Sequence, residues 1–273
     1  MKEKKLKKVL TIAGSDSLAG GGLQADLATF ARAGLAGFSV LTSVVSIKTD
    51  AVEVFAVPDA VLQAQLSSVT QVDDFAAIKV GLLNSISQLD MVVDFIKDFD
   101  CPIVVDPVLA LKEGELAENP ALVEAYRNKL LPLATICTPN FNEGLVLVEK
   151  ARRNVQTAAD LSALGRQLSQ QVQTTVLQKG GLGFLPGQTL DVLAVGQTVQ
   201  PLSLPALAKD ASINGAGCTL AAAITSYLAL GLDLEEAVTK SQQFVHQGIA
   251  AGYHLNQKRL DGNVFQAGVA WLE

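Results

Sequence analysis

With 273 residues, the chain can form one large α/β domain with a sizeable core, or two small ones. Hydrophobic residues make up 49% and charged residues 18%, which excludes a disordered chain. A net charge of −6 and a pI of about 5.0 argue against nucleic acid or an anionic membrane as the main partner.

Lys2, Lys4, Lys5, Lys7 and Lys8 form a basic tip, read as a solvated tail over residues 1–8. The apolar run behind it, Val9 to Gly14, stops at Ser15 and Asp16. That is shorter than the roughly 7–15 apolar residues of a signal segment, and it reads as a first strand. No run reaches the roughly 18 apolar residues of a membrane span. Cys101, Cys137 and Cys218 are odd in number and widely spaced. They suggest neither a disulfide framework nor a zinc site, and a reduced cytoplasmic location is expected.

Further strands are expected at Ser39–Ser46, Ala77–Val80, Ile103–Asp106, Thr135–Thr138 and Thr174–Gln178, after the first at Val9–Ala13. Helices are expected at Gly22–Ala33, Pro58–Ser67, Ser87–Phe99, Pro120–Leu131, Asn142–Val148, Ala158–Gln170, Thr219–Leu230 and Leu234–Gly252. No linker or low-complexity stretch interrupts them, so residues 1–273 are expected to form a single domain. Buried-type strands alternating with helices imply a mainly parallel sheet covered on both faces.

Ligands of such sheets bind beyond the carboxyl ends of the strands. Polar groups recur there: Gly14, Ser15 and Asp16; Gly81; Asp106; Thr138-Pro139-Asn140 with Glu143; Lys179-Gly180-Gly181; and the turn before Cys218. Six such groups at corresponding positions are what an active-site rim looks like.

Each motif also has a plainer reading. Gly215-Ala216-Gly217 leads directly into a helix start, so its amides can close on an anion. Cys218 there is expected to have a lowered pKa, suiting a base or nucleophile, although free cysteines commonly serve as small buried residues. Ala19-Gly20-Gly21-Gly22 can be a second anion nest or a simple glycine-rich turn. Asn140 and Glu143 can hold hydrated magnesium through its waters, or form a capping box, which spacing alone favours. Asp106 can assist a metal or start a turn; Lys179 can meet a phosphate or lie on the surface.

In this order the motifs resemble one family. Thr11-Ile12-Ala13-Gly14-Ser15-Asp16 and Gly22-Leu23-Gln24-Ala25-Asp26 look like the opening of the hydroxymethylpyrimidine and pyridoxal kinases, in the ribokinase-like superfamily. Ile78-Lys79-Val80-Gly81-Leu82-Leu83, Val105-Asp106-Pro107-Val108, Leu131-Pro132-Leu133-Ala134-Thr135, Thr138-Pro139-Asn140, Lys179-Gly180-Gly181 and Gly215-Ala216-Gly217-Cys218-Thr219 continue the match.

The resemblance implies a three-layer ribokinase-like fold. It also implies an ATP- and Mg2+-dependent kinase acting on a hydroxymethyl group of a heteroaromatic ring, with a homodimer as the assembly. It places Cys218 beside the reacting hydroxyl, with Gly215, Ala216 and Gly217 around the transferring phosphoryl group and Lys112 on a flap. Asp106 and Glu143 are associated with the metal; Asn140, Lys179, Gly180 and Asn214 lie on the nucleotide side. Gly14, Asp16, Asp26, Ile47 and Leu82 fall on the substrate side.

Pyrimidine kinases usually carry a glutamine where this chain aligns Ile47, which can neither donate nor accept. The pyridoxal kinases of the cysteine-bearing branch have an apolar residue there. A vitamin B6 kinase is therefore favoured. Two other readings stand open, a pyrimidine kinase of thiamine synthesis and a vitamer-binding paralogue without turnover. Three positions depart from the family pattern: Asn214 for histidine, Ala19 for glycine, and Leu111 where some relatives have a second cysteine.

Overall fold

The computed structural model describes residues 6–48, 51–109, 119–208, 213–256 and 262–271. In chain order the elements are β1 (Lys8–Asp16), α1 (Gly22–Arg32), β2 (Ala36–Ile47), β3 (Val52–Ala56), α2 (Asp59–Val69), β4 (Phe75–Val80), α3 (Ile86–Ile96) and β5 (Ile103–Val105). There follow α4 (Pro120–Ala125), β6 (Ile136–Cys137), α5 (Phe141–Leu147), α6 (Ala158–Val172), β7 (Thr175–Leu185), β8 (Gln188–Val195) and β9 (Thr198–Pro205). The last are α7 (Ala216–Leu230), α8 (Leu234–Ala250), β10 (Tyr253–His254) and β11 (Gly262–Asn263).

Two compact units are distinguished: Met1–Gly81 with Asp100–Ile103 and Lys209–Glu273, and Leu82–Phe99 with Val104–Ala208. The first contains strands in the order β3-β2-β1-β4. Strand β1 runs parallel to both β2 and β4, while β3 is antiparallel to β2. Val9, Leu10 and Ile12 of β1 have no exposed surface, which is why this strand reads as a continuous apolar run rather than an alternating one. Val9, Phe30, Leu35, Ala77, Ala222 and Ala229 form one core cluster. The alanines of α7 let it lie close to its neighbours, and Thr219 to Tyr227 are all buried.

The second unit contains β5-β6-β7-β8-β9. Strands β5, β6 and β7 are parallel, and β7, β8 and β9 form an antiparallel meander. The expected α/β class and mainly parallel sheet are therefore found.

The differences from the sequence reading lie at edges. Strands β3, β8 and β9 were not anticipated, and β7 continues to Leu185 rather than ending at Gln178. Their half-exposed residues lack the buried-run signature of parallel strands. The turns at Gly187 and Gly196, both left-handed, were the legible hairpin signals. The helix expected over Pro120–Leu131 becomes α4, a π-helical turn at Tyr126–Leu130 and a 3-10 turn at Leu131–Leu133. Helix α7 begins at Ala216, three residues earlier than expected, because Gly215 takes a left-handed φ of 81° and serves as its N-cap.

Candidate active site

In the first unit, strand β1 delivers Asp16 to the start of the glycine loop. Its carboxylate accepts the amides of Leu18 at 2.8 Å and of Gly20 and Gly21 at 3.0 Å each. The loop does form an anion nest, but the anion is its own Asp16. That corrects the reading of this loop as a second nest for a ligand. Asp16 acts on the loop with both oxygens. Ala19 holds a φ of 56°, in the left-handed region that glycine adopts most readily.

Gly22 closes the loop beneath β1. A Cβ there would overlap the carbonyl oxygen of Gly14, which is itself buried. The Gly22 amide donates to Cys218 Sγ at 3.4 Å. A Cβ on Gly215 would likewise overlap the Gly20 carbonyl oxygen, so only glycine lets the turn meet the loop. Helix α7 starts directly at Ala216 with no side chain capping it, and its first helical bond runs from Thr219 N–H to the Gly215 carbonyl. The end of α7 around Gly217 and Cys218 therefore suits an anion. Gly215, Ala216, Gly217 and Cys218 are thus brought together with the glycine loop.

Asp26 lies elsewhere than expected. Its side chain is fully buried, accepts Thr11 Oγ1 at 2.6 Å, and takes Lys79 Nζ at 2.7 Å on both oxygens. A carboxylate so enclosed braces α1 against β1 and β4 and presents no exposed surface, where a substrate-side place was expected. Lys79 and Thr11 were missed as partners. A lone lysine inside the buried run Ala77–Val80 was the available signal, because a buried charge needs a counter-charge. Ile47 ends β2, half-buried and opposite Val52 of β3.

In the second unit the carboxyl ends of β5, β6 and β7 carry an acidic cluster. Asp106 is buried, and its Oδ1 accepts Thr138 Oγ1 at 2.8 Å and Lys179 Nζ at 3.1 Å. Asn140 and Glu143 form the full capping box of α5: Glu143 N–H donates to Asn140 Oδ1 at 3.0 Å, and Asn140 N–H to Glu143 Oε2 at 2.7 Å. Glu143 is also buried, and burial pushes its carboxyl up to about 8 against the opposing pull of Lys179, with Asp106 adding to the rise. The pair therefore forms the capping box, and the same carboxyl lies buried beside Asp106 and Lys179. Among the described residues no three His, Cys, Asp or Glu side chains gather as a directly ligated metal would need. Carboxylates suit a hard cation held through its waters.

Behind this cluster, the fully buried Gln178 donates to the carbonyl of Asn140 at 3.0 Å and fixes the loop after β6. The buried Tyr126, in the π-helical turn, accepts the Leu83 amide at 3.3 Å, and burial pushes its phenol up. Neither was identified from sequence. The Gly180 amide donates to Asp191 Oδ1 at 3.1 Å, and a Cβ there would meet Leu161 and the Leu190 carbonyl. Gly180 therefore serves strand packing. Leu82 is half-buried at the start of this unit. Lys112 and Leu111 lie outside the described residues.

Comparison with known proteins places these clusters in context. A family profile described as phosphomethylpyrimidine kinase matches residues 16–263. The chain is 35% identical over 248 residues to the hydroxymethylpyrimidine/phosphomethylpyrimidine kinase of Streptomyces coelicolor, covering 90% of each. It is 32% identical over 261 residues to the pyridoxine kinase of Bacillus subtilis, covering 92% of this chain and 93% of that one. It spans 47% of the length of the thiamine biosynthetic bifunctional enzyme TH1 of Arabidopsis thaliana, with 34% identity over 248 residues.

The ADP complex of Bacillus subtilis pyridoxal kinase is similar at a TM-score of 0.88 and 30% identity, covering 96% of this chain and 98% of that one. Staphylococcus aureus pyridoxal kinase in complex with AMP-PCP and pyridoxal gives 0.86 and 33%, covering 96% and 94%. The chain belongs to the phosphomethylpyrimidine kinase family and is a phosphotransferase with an alcohol group as acceptor.

Proposed function

We propose that this kinase phosphorylates the hydroxymethyl group of a B6 vitamer: pyridoxal, pyridoxine or pyridoxamine. The observation that carries the reading is Ile47, a half-buried apolar side chain at the end of β2, where a pyrimidine's amino group would need a hydrogen-bonding partner. The likeness to pyridoxal kinases over nearly the whole chain supports it. A pyrimidine kinase of thiamine synthesis is the second reading, favoured by the comparable 35% identity to the Streptomyces coelicolor enzyme.

Cys218, with its sulfur already accepting the Gly22 amide, takes the hydroxyl proton, or leaves it to the phosphate. The amides around Gly215, Gly217 and Cys218 stabilise charge on the transferring group, while that of Ala216 donates to the Ile213 carbonyl at 3.1 Å and closes the turn. Asp106 and Glu143, two buried carboxylates of one cluster, would hold hydrated Mg2+ through its waters. When bound, that ion neutralises charge on the ATP phosphates. Asn140 and Lys179 face the nucleotide. Asp16 shapes the glycine loop, Asp26 braces the helix behind it, and Asn214 sets the turn before α7.

The same reading includes a homodimer and a cytoplasmic location. Val44 and its partner Phe55 across β2 and β3 are 40% and 57% exposed, which suits a covered face; light scattering at two concentrations tests this. The cysteines are free, and among the described residues no helix is long and apolar enough to cross a membrane.

The deciding experiment measures ATP- and Mg2+-dependent phosphorylation of pyridoxal, pyridoxine and hydroxymethylpyrimidine side by side. Strong turnover of a B6 vitamer with little on the pyrimidine is the expected outcome. The reverse preference would remove Ile47 as the determinant of specificity.

A further inference from the structure

The glycine loop and the turn before α7 touch directly at Gly20 with Gly215 and at Gly22 with Cys218. A further tie comes from β11. Asn263 is 1% exposed, and its side-chain nitrogen donates to the Leu18 carbonyl at 2.8 Å and to the Tyr253 hydroxyl at 3.2 Å. Its main chain forms a parallel bridge with Asn214. Asn214 N–H donates to the Gly262 carbonyl at 2.9 Å, and Val264 N–H to the Asn214 carbonyl at 3.1 Å. Strand β11 therefore holds the loop through the Asn263 side chain and the turn through the main chain of the residues on either side of it.

The oxygen of the same amide has no hydrogen-bond partner among the described residues. Leaving a buried oxygen unpaired is unfavourable, a cost that an apolar side chain would avoid. The two bonds from the nitrogen are what an amide offers here in return.

We propose that Asn263 is a positioning residue for phosphoryl transfer: it clamps the glycine loop onto the turn that carries Cys218. The inference rests on the reading of Cys218 as the group beside the reacting hydroxyl. A loop free to drift would carry the Gly22 amide away from the sulfur, and a misplacement of about 1 Å can cost about a hundredfold in rate.

The variant Asn263→Asp keeps the shape but sets an acceptor against the Leu18 carbonyl. In the full chain, kcat should fall about tenfold or more while KM for ATP stays within about twofold. Hydrogen exchange of the amides of residues 18–22 should speed up about tenfold, with β8 and β9 at wild-type rates. Tyr253→Phe, which removes only the outer partner, should move both readings the same way by about two- to threefold. Wild-type kcat in Asn263→Asp, or unchanged exchange at 18–22, would overturn the clamp. If Asn263→Asp fails to fold, unchanged kcat and exchange in Tyr253→Phe overturn it instead. A wild-type chain inactive on every vitamer and pyrimidine defeats the functional reading alone, and the exchange measurement still decides the clamp.

Discussion

The amide of Gly22 donates to the sulfur of Cys218 at 3.4 Å, joining two segments 196 residues apart in sequence. Replacing Cys218 with alanine should lower turnover about a hundredfold, the scale of losing a general base. Steady-state rates at saturating substrates check this, and near-normal turnover would leave the phosphate itself as the proton acceptor.

Gly215 is the position where the turn tolerates no side chain, since a Cβ would overlap the Gly20 carbonyl oxygen. Gly215→Ala should push the loop and turn apart and reduce kcat about a hundredfold, as misplaced reacting groups do. Circular dichroism separates this from global unfolding. A folded Gly215→Ala enzyme with wild-type kcat would mean that the contact is irrelevant to catalysis.

The buried pair of Lys79 and Asp26 makes a stability prediction. Lys79→Met strands the Asp26 carboxylate in the interior and should cost about 3–5 kcal/mol. Adding Asp26→Leu should recover most of that loss, because no uncompensated charge then remains buried. Urea unfolding of the two variants provides the comparison. A double variant as unstable as the single one would contradict the charge argument.

Glu143 has its carboxyl raised from the ordinary 4.5 to about 8, first by burial. The folded protein then binds this proton more tightly than the unfolded chain does. Stability from this group is complete below about pH 4.5 and is lost as pH rises through about 8. In metal-free buffer, wild-type stability relative to Glu143→Gln should therefore decline across this window. Parallel pH profiles for the two proteins would show that Glu143 ionises normally. Urea melts at intervals between pH 5 and 9 measure this directly.

Much of the arrangement was legible in the amino acids. The apolar run at Val9–Ala13 marked a strand covered on both faces, and Gly215-Ala216-Gly217 marked a helix start without side chains. Both signals are local: a strand with two buried faces must be apolar throughout, and a tight approach must be made by glycine. Strands β3, β8 and β9 were less legible because edge strands keep polar and half-exposed residues.

Side-chain partnerships were the part that only the tertiary structure decided. The sequence determined that Asp16 and Asp26 follow β1 and the glycine loop, yet not that one fills its own loop's amides and the other pairs with Lys79, 53 residues away. It showed Asn140 and Glu143 at capping distance, but only the structure revealed that the capping carboxyl is itself buried. Asn263 carried no local mark, because its role depends on Leu18 and Asn214, which chain folding brings beside it. Periodicity and glycine placement are properties of neighbouring residues, whereas burial and hydrogen-bond partners arise only when distant segments pack.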